Sequence, residues 1–329
     1  MAPTRQQLSQ REIDAVLKHY NVGTVHEITE LPEGSVYSPK VILKADKGRL
    51  LLKRRARGLD IPAVVAFSHE VMLECLKQGL CVPPLIATTD NNSMVQHADH
   101  VYELFPFIEG QRFDPAKPAH AREMGELLSD TYAYMDKLKT TFEPVVEPET
   151  IDRTRINPIT PHRDALPADL VDDFKRALDH GADTAAANEK PKAIVHGDWH
   201  PGNMIYRQDR LVAVCDFDNT RIGSRDREIA QALVHVSLIT PQPGQTASAV
   251  PPEPDPARLE AFWHGYKAHN GQSSPRAIAA LMPAVMIDEA LASIGPELND
   301  NRVALLTAVH RKANWLSDHH QNLVALFSD

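Results

Sequence analysis

The stretch from Ile194 to Asp218 holds three polar residues whose types and spacing can do chemistry: Asp198, Asn203 five positions later, and Asp216 beyond a short polar turn. A carboxylate to accept a hydroxyl proton, with an amide and a second carboxylate to hold magnesium, is the set that phosphoryl transfer requires. The apolar runs around them say how they come together. Ala193-Ile194-Val195 precedes Asp198, Met204-Ile205-Tyr206 follows Asn203, and Leu211-Val212-Ala213-Val214-Cys215 leads into Asp216. Arg207-Gln208-Asp209-Arg210 separates the last two runs, so they form a short hairpin. A loop carrying Asp198 and Asn203 then lies beside a strand that ends at Asp216. His196 and His200 also stand at H-x3-H spacing, as in some zinc sites. Pro201 and Gly202 break any helix there, and no third ligand has fitting spacing, so zinc is set aside.

The order His196-Gly197-Asp198-Trp199 to Asn203, then Asp216-Phe217-Asp218, can be compared with the protein-kinase pattern H-R-D-L-x-x-x-N followed by D-F-G. The glycine after the histidine and the Trp-His-Pro-Gly insert are not those of protein kinases. They resemble the aminoglycoside phosphotransferase and choline kinase-like group, which includes homoserine kinase type II and methylthioribose kinase; H-G-D-x-H-P-G-N is that group's signature. The resemblance runs from about Thr24 to Ala230 and weakens in the C-terminal helices. It implies an α+β, two-lobed protein kinase-like fold. Residues 1–105 would form a nucleotide-binding lobe, an antiparallel sheet with one helix, and 106–329 a larger, mainly helical catalytic and substrate-binding lobe. The implied activity is ATP-dependent transfer of the γ-phosphate to a small-molecule hydroxyl, with Asp198 as base and Asn203 and Asp216 as Mg2+ ligands. Two other readings stay open. One is a kinase-like fold that binds nucleotide or a partner and transfers nothing. The other is a protein Ser/Thr kinase, against which the absence of H-R-D and A-P-E counts.

These residues need a partner lobe, and the N-terminal third supplies its pattern. Ser9-Gln10-Arg11-Glu12 is a capping box before Ile13, Val16, Leu17 and Tyr20, which predicts a helix stopping near Asn21 to Gly23. Strands follow around Val25 and Ile28, at Val41 to Lys44, and at Leu50 to Lys53 after the turn Asp46-Lys47-Gly48. The loop from Pro32 to Pro39 carries Gly34 and Ser35, whose backbone N–H groups can face phosphates. Lys53 stands where the V-A-I-K lysine would be. A helix from Pro62 to Gln78 carries Glu70, which the group's pattern makes the acid that pairs with Lys53; Glu74, one turn on, competes with it. Tyr102 to Gly110 resembles the group's inter-lobe hinge, which places Glu103 to Phe105 beside the adenine.

In the C-terminal part, helices are expected at 118–138, 167–180, 256–269, 275–294 and 301–327, and 140–165 reads as an irregular connection. Pro241 to Pro256 reads as a proline-rich surface loop. Glu228-Ile229-Ala230 stands where the group has Asp-Leu-Ala, an acid that supports the catalytic loop, and Asp226 competes for that role. A cationic acceptor would want an acidic and aromatic pocket, for which Trp263, Tyr266, Asp288, Glu289 and Trp315 are candidates.

Composition bounds the rest. With 329 residues, 43% of them hydrophobic, the chain can build a sizeable core and two lobes. The net charge of −9 argues against duplex nucleic acid, and the basic run Lys53-Arg54-Arg55 suits nucleotide phosphates. Three cysteines without C-x-x-C point to reduced thiols and a cytoplasmic protein. No apolar run of about 18 residues is present, so no membrane span is expected. The stripe of Leu305, Val309, Leu316, Leu323 and Phe327 reads as core rather than a partner surface, so the sequence marks no oligomer interface.

Overall fold

Alternation along the N-terminal strands decides which side chains face the Asp198 loop. The structure is a computed structural model that describes residues 5–147, 149–188, 192–238, 249–269, 271–293 and 298–328. Helix α1 (Gln10–Leu17) starts at the capping box: Glu12 N–H donates to Ser9 Oγ at 3.3 Å, and Ser9 N–H donates to the Glu12 carboxylate at 3.2 Å. Strands β1 (Val25–Leu31), β2 (Lys40–Ala45), β3 (Gly48–Arg54), β4 (Val95–His97) and β5 (His100–Pro106) form one antiparallel sheet in the order β1-β2-β3-β5-β4. Helix α2 (Pro62–Lys77) joins β3 to β4.

The sheet has two differently used faces because successive side chains point to opposite sides. Val41, Leu43, Leu50, Leu52 and Leu104 cluster with Ile13 and Val16 of α1. Leu51 and Phe105 instead pack with Phe67, Val71 and Met72 of α2 in the core of the C-terminal part. Lys53 follows Leu51 by two and so lies on that second face. Its cross-strand partners are Lys40 on β2 and Glu103 on β5. The pleat therefore divides the basic run. Arg54 turns to α1 and pairs with Glu12 at 2.6 Å, while Lys53 and Arg55 turn the other way.

Beyond β5 the chain runs through α3 (Pro118–Met135), α4 (Leu170–Ala187), β6 (Ala193–Val195), β7 (Met204–Arg207), β8 (Arg210–Val214), β9 (Arg221–Gly223), α5 (Arg225–Ser237), α6 (Pro256–Ala268) and α7 (Pro275–Ala292). The expected last helix is two, α8 (Asp300–Asp318) and α9 (His320–Ser328), because His319 leaves helical geometry at φ −103°, ψ 18°. The connection at 140–165 contains two 3-10 turns, Arg153–Ile156 and Thr160–Ala165. Of the proline-rich stretch, 241–248 lies outside the described residues. No helix among the described residues is long and apolar enough to cross a membrane.

The predicted hairpin is β7 and β8, antiparallel, with Tyr206 opposite Leu211. Its two turn residues, Gln208 and Asp209, have φ of 51° and 59°, the left-handed pair that a tight two-residue hairpin needs. Strand β6 pairs with β9, which brings Val195 opposite Arg221 and so sets the start of the Asp198 loop against the segment after Asp216.

Helices α3 and α6 meet where Gly125 lies against the Phe262 carbonyl and Gly265 against the Arg122 carbonyl, so a Cβ at either position would collide with main chain. Gly125→Ala should therefore destabilise the fold by about 1–3 kcal/mol, the range for overpacking a tight core. A urea titration measures this as a lower midpoint with an unchanged slope.

Candidate active site

Strand β6 ends at Val195, and the next three residues are held from several sides. Glu228, in the first turn of α5, accepts the N–H of Gly197 and of His196, the latter at 3.3 Å, and the Tyr132 hydroxyl at 2.6 Å. Gly197 sits at φ +85°, where a side chain would run into the Asn219 carbonyl and the Arg221 guanidinium. His196 is fully buried and links both halves of the motif. Its Nδ1 accepts from Asp198 N–H at 3.2 Å, and its Nε2 donates to the Cys215 carbonyl at 3.2 Å. Burial pushes the His196 pKa down, so the ring is neutral, as one donor and one acceptor require. Its ring packs edge-on to Phe217.

Asn203 closes the loop. Its Nδ2 donates to the Asp198 carboxylate at 3.0 Å and to the Asp198 carbonyl at 2.9 Å, and Cys215 N–H donates to the Asn203 carbonyl at 2.9 Å. Asp216 follows directly, in the left-handed region at φ 70°, a conformation aspartate tolerates better than most residues. Burial raises the Asp198 pKa. The hydrogen bond from His200 outweighs it and holds Asp198 below its ordinary value, while the Asp216 charge pushes it the other way. The two carboxylates thus lie near enough for their charges to repel.

The sheet brings cations to Asp216 and Asp218. Lys53 Nζ lies 2.8 Å from Asp216 and closer still to Asp218, and Lys40 Nζ lies 3.4 Å from Asp216. Arg55 Nη2 donates to Glu103 at 2.8 Å and to Ser68 Oγ at 2.7 Å, and its Nε lies 3.4 Å from Asp218. Burial alone would raise all three acids. For Asp216 the Lys53 and Lys40 charges win and hold it well below the usual range. Glu103 is held down likewise, against burial, by Arg55, His69 and Lys53. Asp218 goes up, because burial and the Asp216 and Glu103 charges outweigh Lys53 and Arg55.

Of the residues singled out in the sequence, Asp198, Asn203, Asp216 and Lys53 come together. Gly34 belongs to the same side: a Cβ on it would lie 3.1 Å from Lys40 Nζ. Ser35, next to it, gives its carbonyl to Arg5 and its hydroxyl to Tyr37 N–H. Arg112 pairs with Glu33 of that loop and donates to the Gly202 carbonyl at 2.8 Å, so it spans from loop to loop. Phe105 is buried in the core.

Glu70 is a correction. Its carboxylate accepts the N–H groups of Thr141 (2.8 Å) and Phe142 (3.3 Å), not Lys53. Glu74 bonds Gln78 and Lys77. The reason is the rotation of α2: Ser68 and His69 are the buried residues facing the sheet, and each further residue turns about 100° round the helix. The Glu103 side chain is 1% exposed and accepts from Arg55 and His69. The cationic pocket is not formed either. Trp263 and Tyr266 are core, Trp315 stacks on His319, Asp288 pairs with Arg155 and Arg227, and Glu289 pairs with His235. The His235 ring is 5.5 Å from that of His200, whose Nε2 is 3.4 Å from Asp198, and Glu289 of α7 pairs with His235, so α5 and α7 border Asp198. The sequence reading named Arg55 only within a basic run, and missed Lys40 and His69. The first two were findable, as residues sharing the Lys53 face by alternation and pairing.

Glu228→Ala leaves two loop N–H groups and a phenol without their acceptor, and should cost about 3 kcal/mol, read as a lower melting temperature, with a smaller loss in Glu228→Gln. A second expectation concerns acid. Glu103 and Asp216 have depressed pKa values, so the unfolded chain takes up their protons first. Their contribution to stability is complete above about pH 5 and is lost as pH falls further. Asp218, being raised, opposes this but is one against two. Urea midpoints should be level between pH 7 and pH 5, fall between pH 5 and pH 3, and fall less in Asp216→Asn.

Residues 27–280, well over half of the chain, match the phosphotransferase enzyme family. Homoserine kinase from Brucella ovis is 25% identical over 214 residues, which are 64% of this chain and 63% of that protein. An amicoumacin kinase solved with AMP-PNP and Ca2+ superposes with a TM-score of 0.71 at 13% identity, covering 92% of each chain. A microcompartment-associated aminopropanol kinase gives a TM-score of 0.70 at 13% identity, over 93% of this chain and 96% of that one. The fold is the two-lobed one of protein kinase-like enzymes, and the chain belongs to the phosphotransferase enzyme family.

Proposed function

We propose that the chain is an ATP- and Mg2+-dependent kinase of a small-molecule alcohol. The observation that carries this is the Asp198–Asn203–Asp216 arrangement. Asn203 bonds the Asp198 carboxylate at 3.0 Å and receives the backbone N–H that precedes Asp216 at 2.9 Å. Both side-chain bonds of Asn203 use its amide nitrogen, which leaves the amide oxygen for a cation. With the Asp216 carboxylate it offers the hard oxygen donors that Mg2+ prefers. When bound, the cation neutralises charge on the phosphates. Lys53 and Lys40 then have phosphate oxygens to meet in place of Asp216.

In the reaction the acceptor oxygen forms a bond to the γ-phosphorus, the bond from that phosphorus to the ADP oxygen breaks, and the hydroxyl proton passes to Asp198. Asp198 is ionised at neutral pH and so can orient the hydroxyl and take its proton, as a weak base whose main service is position. The acceptor enters on the side of His200, His235 and Glu289. Homoserine and aminopropanol, named in the relatives, are the first acceptors to assay.

Mg-ATP with an acceptor panel, followed by phosphorus NMR, should yield a phosphorylated alcohol. Asp198→Ala should lower turnover by about 10²–10⁴-fold while nucleotide affinity persists. Near wild-type turnover in that variant refutes the assignment, and nucleotide binding without transfer across the panel favours a non-enzymatic role.

A further inference from the structure

Three buried polar atoms close to Lys53 lack a hydrogen-bond partner: Oε2 of Glu103 and Nε and Nη1 of Arg55. Glu103 lies directly across the β3–β5 ladder from Lys53. Its Oε1 accepts from Arg55 Nη2 at 2.8 Å and from His69 Nε2. The donors are themselves fixed: His69 Nδ1 meets Ser93 Oγ at 2.8 Å, and Arg55 Nη2 also donates to Ser68 Oγ at 2.7 Å. Ser68 and His69 belong to α2, so the helix is tied to β3 through an acid on the neighbouring strand. Glu70, one position further round α2, is occupied by the main chain of Thr141 and Phe142.

A lysine that reaches for a polyphosphate needs a carboxylate behind it that stays in place. Asp216 cannot be that group once it ligates a cation. Glu103 is buried, keeps one oxygen open and stands beside Lys53. We propose that Glu103 is the positioning residue that aims Lys53, with Arg55 at its side, at the nucleotide phosphates. This is the task the sequence pattern assigns to Glu70, and the inference rests on the kinase reading above. Arg55 joins in because the same acid sets its guanidinium against Asp218, which balances that buried carboxylate while Lys53 turns away.

Calorimetric titration of the full chain with Mg-AMP-PNP and, separately, with adenosine tests this. Glu103→Gln should weaken Mg-AMP-PNP binding at least about ten-fold and leave adenosine binding within about two-fold. Lys53→Met should do the same, and the double variant should lose nothing more than Lys53→Met alone, because Glu103 acts through the lysine. Glu103→Asp keeps the charge one methylene back and is the milder variant if the amide does not fold; its loss should be smaller and again confined to the phosphate-bearing ligand. Equal losses for both ligands, additive losses in the double variant, or a phosphate-selective loss in Glu70→Gln but not in Glu103→Gln would overturn the proposal. If the wild-type chain binds no Mg-AMP-PNP, the kinase reading itself fails.

Discussion

Lys53 is a charged group with almost no exposure, and its ammonium lies between Asp216 and Asp218. Taking such charges out of water costs several kcal/mol per ion, and mutual attraction returns that cost only with good geometry. An apolar trio of similar size would serve stability as well or better. What the charges add is a set of ionised groups already in place, which on the proposed function would exchange partners with a cation and an anionic ligand. The same contact joins the sheet to the strands around Asp216, so the meeting of the two parts of the fold is electrostatic at its centre and apolar around it, through Leu51, Phe105 and α2.

Everything near Asp198 serves to keep that centre aimed. His196 bonds Asp198 N–H on one side and the Cys215 carbonyl on the other, so Asp198 and Asp216, eighteen positions later, are tied to one ring. Glu228 holds the start of the loop from α5, and the left-handed glycine at 197 lets the main chain pass close under Asn219. Groups preorganised in this way contribute to phosphoryl transfer by position and field rather than by covalent chemistry.

How much of this was legible follows from which physical signals are local. The β7–β8 hairpin was readable because Gln208-Asp209 sits between two apolar runs, and the Lys53 face because strands alternate. The capping box at Ser9 formed as its spacing dictates. Helix periodicity says that one face of α2 is buried but not how the helix is rotated against the sheet, and that rotation decides between Glu70 and His69. The same holds for Trp263, Tyr266, Asp288 and Glu289: their types suit a cation, but the packing of α6 and α7 gives the rings to the core and the acids to Arg155, Arg227 and His235. Side-chain partners across long separations are set by tertiary packing, and no local pattern encodes them.

The central claim is that Asp216 exchanges its lysines for a divalent ion when nucleotide arrives. Electron paramagnetic resonance of Mn2+, titrated into the protein with and without AMP-PNP, reads this directly. The account predicts tight Mn2+ binding that depends on nucleotide and is lost in Asp216→Asn. Mn2+–nucleotide binding of wild-type affinity in that variant would contradict it.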